Sequence, residues 1–331
     1  MEKLPTVITT SVIRSSRQGE SHGGIYLVDL QSGEFDQVID WSDRSISWEG
    51  RGGDRGLRGI AFHQGKVYIA ASDEVFVYSR QFELLESYRN KYLKHCHEIC
   101  IASDTLYLTS TELNSVLEFD LMARRFTRGH AIIYRKRSGL LRYLSGARIR
   151  VVMFDPNDDN ALPVGLGRND LHINNVSVNE HGILISGTRI DALLALKAGS
   201  LRKYAPLPIG THNATTYGNG LIYNDTRSDR VVIASKENVI ERSFPVPEFP
   251  GFPRNSAGDY ARQGFGRGLC LFADNYIIAG SSPSTISVYD TGSGNRVQMI
   301  NLSKDIRNCI HGLELWSVSS NEAGVLNSSE L

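Results

Sequence analysis

Net charge is missing from this chain: 36 Lys and Arg residues offset 36 Asp and Glu among 331 residues. A neutral molecule has no long-range pull on nucleic acid or an anionic membrane, so neither is expected as a partner. Cysteine is scarce, and Cys96, Cys100, Cys270 and Cys309 lack the density and spacing of a disulfide scaffold. No apolar run approaches the roughly 18 residues that cross a bilayer, and the N-terminal MEKLPTVITTSVIRSS carries no signal-type segment. These absences point to reduced thiols in a cytoplasmic protein. No GxSxG elbow, P-loop or dinucleotide fingerprint stands in a strand–turn–helix setting. Proline is sparse at 10 residues, whereas Gly reaches 31, Tyr 14 and Phe 12, a balance suited to short strands and tight turns.

What the chain does have is a repeat. Arg58-Gly-Ile-Ala-Phe-His-Gln-Gly leads into Lys66-Val-Tyr-Ile-Ala-Ala, and His97-Glu-Ile-Cys-Ile-Ala-Ser-Asp into Thr105-Leu-Tyr-Leu-Thr-Ser. His212-Asn-Ala-Thr-Thr-Tyr-Gly-Asn leads into Gly220-Leu-Ile-Tyr-Asn-Asp, and Arg267-Gly-Leu-Cys-Leu-Phe-Ala-Asp into Asn275-Tyr-Ile-Ile-Ala-Gly. In these four copies the second strand begins eight residues after the leading Arg or His. A fifth copy starts at His172 with a longer turn, so Asn174 competes with His172 for the leading position. A sixth starts at His311 and breaks off.

Each complete copy continues into two more strand-like runs, such as Val75-Phe-Val-Tyr and Ile286-Ser-Val-Tyr-Asp. Four strands in roughly 40–50 residues are the mark of a propeller blade. Three strands at the start of the chain, Thr6–Ile13, Gly24–Leu30 and Phe35–Trp41, complete the sixth blade. The expected fold is an all-β, six-bladed β-propeller over residues 1–318, closed by N- and C-terminal strands sharing one blade, with 319–331 as a flexible tail. Seven blades are the alternative, because 126–170 has room for extra strands.

In such a ring the first strand of each blade lines the axis. Arg58, His97, His172, His212, Arg267 and His311 therefore meet at one channel mouth. Converging neutral imidazoles suit a divalent transition metal, zinc first and iron or manganese otherwise. His97, His172 and His212 are the expected ligands, with His311 completing the set or carrying a proton. Arg58 and Arg267 would repel a lone cation but clamp an anion beside it. Asn174 and Asn213 stand next to these positions and would add hydrogen bonds to a small anionic substrate. His95-Cys96-His97-Glu98-Ile-Cys100 has the look of a metal cluster, yet alternate strand residues face opposite ways. Glu98 and Glu314 would hydrogen-bond to and orient the ring residues, or are solvated strand ends.

Three long connections, 42–57, 135–171 and 243–266, enter the same face. Between Arg124 and Arg150 lie nine Lys or Arg and no acid, with Leu140, Leu141, Leu144 and Ile149 in a broken helical pattern. This segment reads as a lid or as a docking element for a protein partner.

In blade plan and in the His/Arg ring the chain resembles the peptidyl-hydroxyglycine amidating lyases, in which histidines from several blades hold zinc beside arginines. It is similar, more loosely, to virginiamycin B lyases, and Leu171-His172-Ile-Asn174-Asn175 to uncharacterised bacterial propeller proteins. The resemblance implies a metal-dependent lyase or hydrolase acting on a small anion at the channel mouth, with Arg58, Arg267 and His311 catalytic. A metal-free lyase with a His/Arg pair and a non-catalytic ligand- or protein-binding propeller are the competing readings.

Overall fold

The computed structural model describes residues 3–17, 19–42, 56–135, 148–161, 169–255 and 261–316. Its regular elements are all strands. β1 (Thr6–Ile13), β2 (Gly24–Asp29) and β3 (Phe35–Asp40) open the chain. Blade 1 follows as β4 (Ile60–His63), β5 (Lys66–Ala71), β6 (Glu74–Tyr78) and β7 (Leu84–Arg89). Blade 2 holds β8 (Ile99–Ala102), β9 (Thr105–Ser110), β10 (Ser115–Asp120), β11 (Arg125–Arg135) and β12 (Arg148–Phe154). Blade 3 is β13 (Ile173–Asn179), β14 (Gly182–Gly187), β15 (Ala192–Lys197) and β16 (Ser200–Pro206). Blade 4 is β17 (Thr211–Tyr217), β18 (Gly220–Asp225), β19 (Arg230–Ala234) and β20 (Ile240–Pro245). Blade 5 is β21 (Leu269–Phe272), β22 (Tyr276–Ser281), β23 (Thr285–Asp290) and β24 (Arg296–Asn301), and the last strand is β25 (Asn308–Leu315).

The sixth sheet runs β25-β1-β2-β3, so the last strand is innermost in a blade begun by the first three. Ser11 faces Ile310 and Thr9 faces Leu313 across a bulge. Thr10 Oγ1 donates to the Arg58 carbonyl at 2.5 Å and accepts from Gly312 N at 2.8 Å, tying blade 6 to blade 1.

Alternation along each strand explains the ring. On β5, Val67, Ile69 and Ala71 pack toward blade 6, while Tyr68 and Ala70 pack toward blade 2. Six such apolar clusters fill the six junctions between blades, and the cluster joining Ile8, Ile25 and Trp41 to Ile60, Val67 and Ile69 closes the circle. Each fully buried Val, Ile or Leu contributes about 1.5–3 kcal/mol, so these junctions are the main source of stability. Hairpins within blades are tight: Gln64 (φ 47°) and Gly65 (φ 72°) form the turn between β4 and β5, which needs positive φ at both positions.

The basic stretch departs from its reading. Its described parts are the antiparallel strands β11 and β12, with Ile149 opposite Tyr134. The helix expected to include Ile149 is replaced by a fifth strand on the outer edge of blade 2, because pairing with β11 satisfies the backbone of both. Leu140, Leu141 and Leu144 lie outside the described residues, as does the 319–331 tail.

Candidate functional site: the channel mouth

Each connection from an outer strand to the next inner strand delivers one of the six leading Arg or His residues. Arg58, His97 and Arg267 stand two residues before β4, β8 and β21, His172 directly before β13, and His212 and His311 within β17 and β25. Crowding at the axis explains why Gly follows three of them. A Cβ on Gly312 would lie 2.4 Å from the Arg58 carbonyl oxygen, and one on Gly59 would lie 2.6 Å from Ile99 N.

The side chains converge. Arg267 Nη1 is 2.7 Å from His311 Nε2, and Arg58 Nη1 is 3.3 Å from Nδ1 of His97. The His97 ring centroid is 5.1 Å from that of His172 and 5.9 Å from that of His311. His212 packs edge-on to Phe265 at 5.3 Å, with neither ring nitrogen hydrogen-bonded. Arg58 is the largest side chain buried to this degree, at 1% exposure.

Hydrogen bonds fix two tautomers. His97 Nδ1 is 2.8 Å from the His95 carbonyl, which only accepts, so Nδ1 carries the proton and Nε2 the lone pair. His311 Nε2 accepts from Arg267, so its proton is on Nδ1. Burial lowers the pKa of His97 and His311 well below the ordinary histidine value. Nearby cations push the same way, Arg58 foremost for His97 and Arg267 for His311. His212 is lowered likewise by burial, Arg267 and His172. His97, His212 and His311 are thus neutral imidazoles among permanent cations.

Asn174 and Asn213 point elsewhere. The bulge between Ile173 and Asn175 turns Asn174 toward blade 4, where Nδ2 donates to the Thr211 carbonyl at 3.0 Å. His172, just before β13, is the residue that reaches the ring. Asn213 Oδ1 accepts from Gly268 N at 3.0 Å, while its Nδ2 approaches Glu98 at 3.4 Å. Burial, and then Glu314, raises the Glu98 carboxyl well above its usual range, and burial raises Glu314 to about 7. The two carboxyls thus repel each other in a buried setting, and Glu98 approaches Asn213, so neither is a strand end in open solvent. Cys96 is fully buried between blades 1 and 2, and Cys100 packs partly buried between blades 2 and 3, so both cysteines beside His97 are packing residues.

Above the ring opens a cavity of about 940 Å³ lined by His172, His212 and Arg267. Its walls add Arg14, Arg189, Arg227, Arg262 and Phe265, and among the described residues no carboxylate lines it. The Phe265 ring lies 4.7 Å from the Arg267 guanidinium carbon and 5.3 Å from those of Arg14 and Arg262. Sequence reasoning missed these four arginines because it followed the inner strands. The available signal was Thr-Arg at 188–189 and 226–227, repeated after the second strand of consecutive blades.

Comparisons with known proteins bear on the fold. No family model and no curated protein matches the chain. Among solved structures, a protein of unknown function from Bacteroides caccae is 12% identical, covering 93% of this chain and 98% of its own with a TM-score of 0.56. The chain is a β-propeller. A catalytically inactive virginiamycin B lyase from Staphylococcus aureus with quinupristin is 15% identical over 79% of this chain and 74% of its own, with a TM-score of 0.47. A streptogramin B lyase is 14% identical over 79% of this chain and 86% of its own, with a TM-score of 0.48. Identities this low speak for architecture alone.

Metal binding can be tested on the donors themselves. Among the described residues, no three His, Cys, Asp or Glu side chains are disposed to hold an ion. The His311 Nε2 lone pair is engaged by Arg267, and Arg58 faces His97, so a cation would meet guanidinium charge first. The residues as arranged do not fit a zinc ion.

Proposed function

We propose that the channel mouth binds a small organic anion and acts on it as a metal-independent lyase, with arginines holding the charge and a neutral histidine moving a proton. One observation carries this reading: guanidinium and imidazole meet at 2.7 Å between Arg267 and His311, and Arg267 lines a cavity to which, among the described residues, no carboxylate contributes. Cations held out of water attract an anion strongly. Once an anion sits among Arg58, Arg267 and Arg14, it offsets the repulsion that keeps the histidines neutral and raises their proton affinity. The base strengthens only when ligand is present.

For a carboxylate ligand, His97 Nε2 takes the proton from the carbon beside the carboxylate. The released electron pair forms a double bond, and the leaving group departs from the next carbon with its bonding pair. The imidazolium returns the proton to that group. Arg58 and Arg267 hold the charge that builds on the carboxylate. His311 stays a neutral partner of Arg267.

The likeness to the amidating lyases is one of site type in this reading. A zinc, iron or manganese ion on His97, His172, His212 and His311 requires Arg267 to leave His311. Free Cys96, Cys100, Cys270 and Cys309 support a reducing, cytoplasmic setting.

Inorganic phosphate tests the site by calorimetry. Binding by the wild type, with roughly tenfold loss in Arg58→Gln and Arg267→Gln, is expected. A wild type that takes up neither phosphate, sulfate nor acetate overturns the reading.

A further inference from the structure

Two cavity arginines have no part in that proton transfer. Arg189 and Arg227 sit on the turns joining the second and third strands of blades 3 and 4, each preceded by Thr. The same turns carry Asp73 in blade 1 and Glu112 in blade 2. Among blades 1 to 5, arginine stands on this turn only in blades 3 and 4, on the side where the cavity opens.

Both rim arginines are placed by specific backbone features. Arg189 Nη1 donates to the Asn169 carbonyl at 2.7 Å. The Arg227 stem lies on Gly210, where a Cβ would stand 2.8 Å from Cγ, and the φ of +101° at Gly210 also favours glycine. Arg262 differs, because Asp229 neutralises it through contacts of 2.6 and 2.9 Å. Among the described residues neither Arg189 nor Arg227 has such a carboxylate. The cavity, about 940 Å³, is at the upper end of the roughly 300–1,000 Å³ of organic-ligand sites and far larger than one inorganic anion needs.

Resting on the proposed anion site, we infer that the ligand carries two separate anionic groups. One is held at the ring by Arg267 and its neighbours. The other is held at the rim by Arg189 and Arg227, which fixes the molecule off-axis over blades 3 and 4. The ligand class is a small organic bis-anion, such as a bisphosphate or a phosphorylated carboxylate.

Calorimetry with methylphosphonate and propane-1,3-bisphosphonate separates the two claims. Wild type should bind the bisphosphonate at least tenfold more tightly, since a second charged group finds its own bidentate partners. Arg189→Gln/Arg227→Gln should remove that advantage and leave methylphosphonate binding unchanged. Arg202→Gln/Arg242→Gln, which removes the same charge from exposed outer-strand positions, should change neither. Equal wild-type affinity for the two probes, or equal weakening of both by the rim variant, overturns the bis-anion inference and leaves the ring site standing. Wild type binding neither probe overturns both.

Discussion

Arg267 Nη1 donates to His311 Nε2 across 2.7 Å, joining two side chains from neighbouring blades, 44 residues apart in sequence, at the axis. A permanent cation on the single imidazole lone pair makes protonation of that nitrogen unfavourable.

Arg267→Gln should therefore raise the His311 pKa toward the ordinary value, read by histidine ring resonances during a pH titration. The same variant should lose the rise in melting temperature that inorganic phosphate gives the wild type, since a ligand stabilises only the state that binds it. An unmoved His311 titration would show that the guanidinium does not control it.

Purified protein should hold no stoichiometric zinc, iron or manganese by elemental analysis, and incubation with each metal should leave none after desalting. One retained equivalent, lost in His172→Ala, would restore the metal-centred chemistry that the sequence suggested.

Stability should peak at mildly acid pH. His97, His212 and His311 have lowered pKa values in the fold, so the unfolded chain binds more protons below about pH 6.5 and stability is lost as pH drops below that value. Glu98 and Glu314 have raised values, so their contribution is full below about pH 4.5 and lost as pH rises, for Glu314 through about 7. Glu314→Gln should reduce the loss between pH 6 and 8.5 by roughly 1–3 kcal/mol, measured by urea melts at each pH. A pH profile in the variant identical to wild type would show that Glu314 titrates normally.

Gly312→Ala tests the crowding at the seam. The new methyl would meet the Arg58 carbonyl at 2.4 Å and Ile60 Cγ1 at 2.7 Å. A loss of about 1–3 kcal/mol is expected in denaturant unfolding, together with weaker phosphate binding as Arg58 shifts. Gly65→Ala, whose Cβ would meet nothing, isolates backbone strain at positive φ from this clash.

The blade count and the ring were legible because both are periodic. Eight residues from Arg58 to Lys66 and from His97 to Thr105 place equivalent side chains at equivalent heights, and the hydrophobic alternation of Lys66-Val-Tyr-Ile-Ala-Ala marks both faces of a blade. The fifth strand of blade 2 was hidden, since a basic stretch broken by glycines reads equally as helix or edge strand. Asn174 was misleading because a bulge shifts the register at that one inner strand. Arg189 and Arg227 escaped notice because a residue on a turn joins a cavity only through its neighbours in space. Ring positions repeat along the chain, whereas cavity walls are drawn from turns and inter-blade connections of different lengths.

The strand that carries His311 is paired to the strand that begins at Thr6, with nearly all of the propeller between them. During synthesis the early blades can pack while the ring is still open, but Arg267 lacks His311 and the mouth has a gap until β25 clears the ribosome. A nascent chain is therefore blind to its ligand until the seam zips shut, and truncation before Asn308 should yield an inert protein rather than a weakened one.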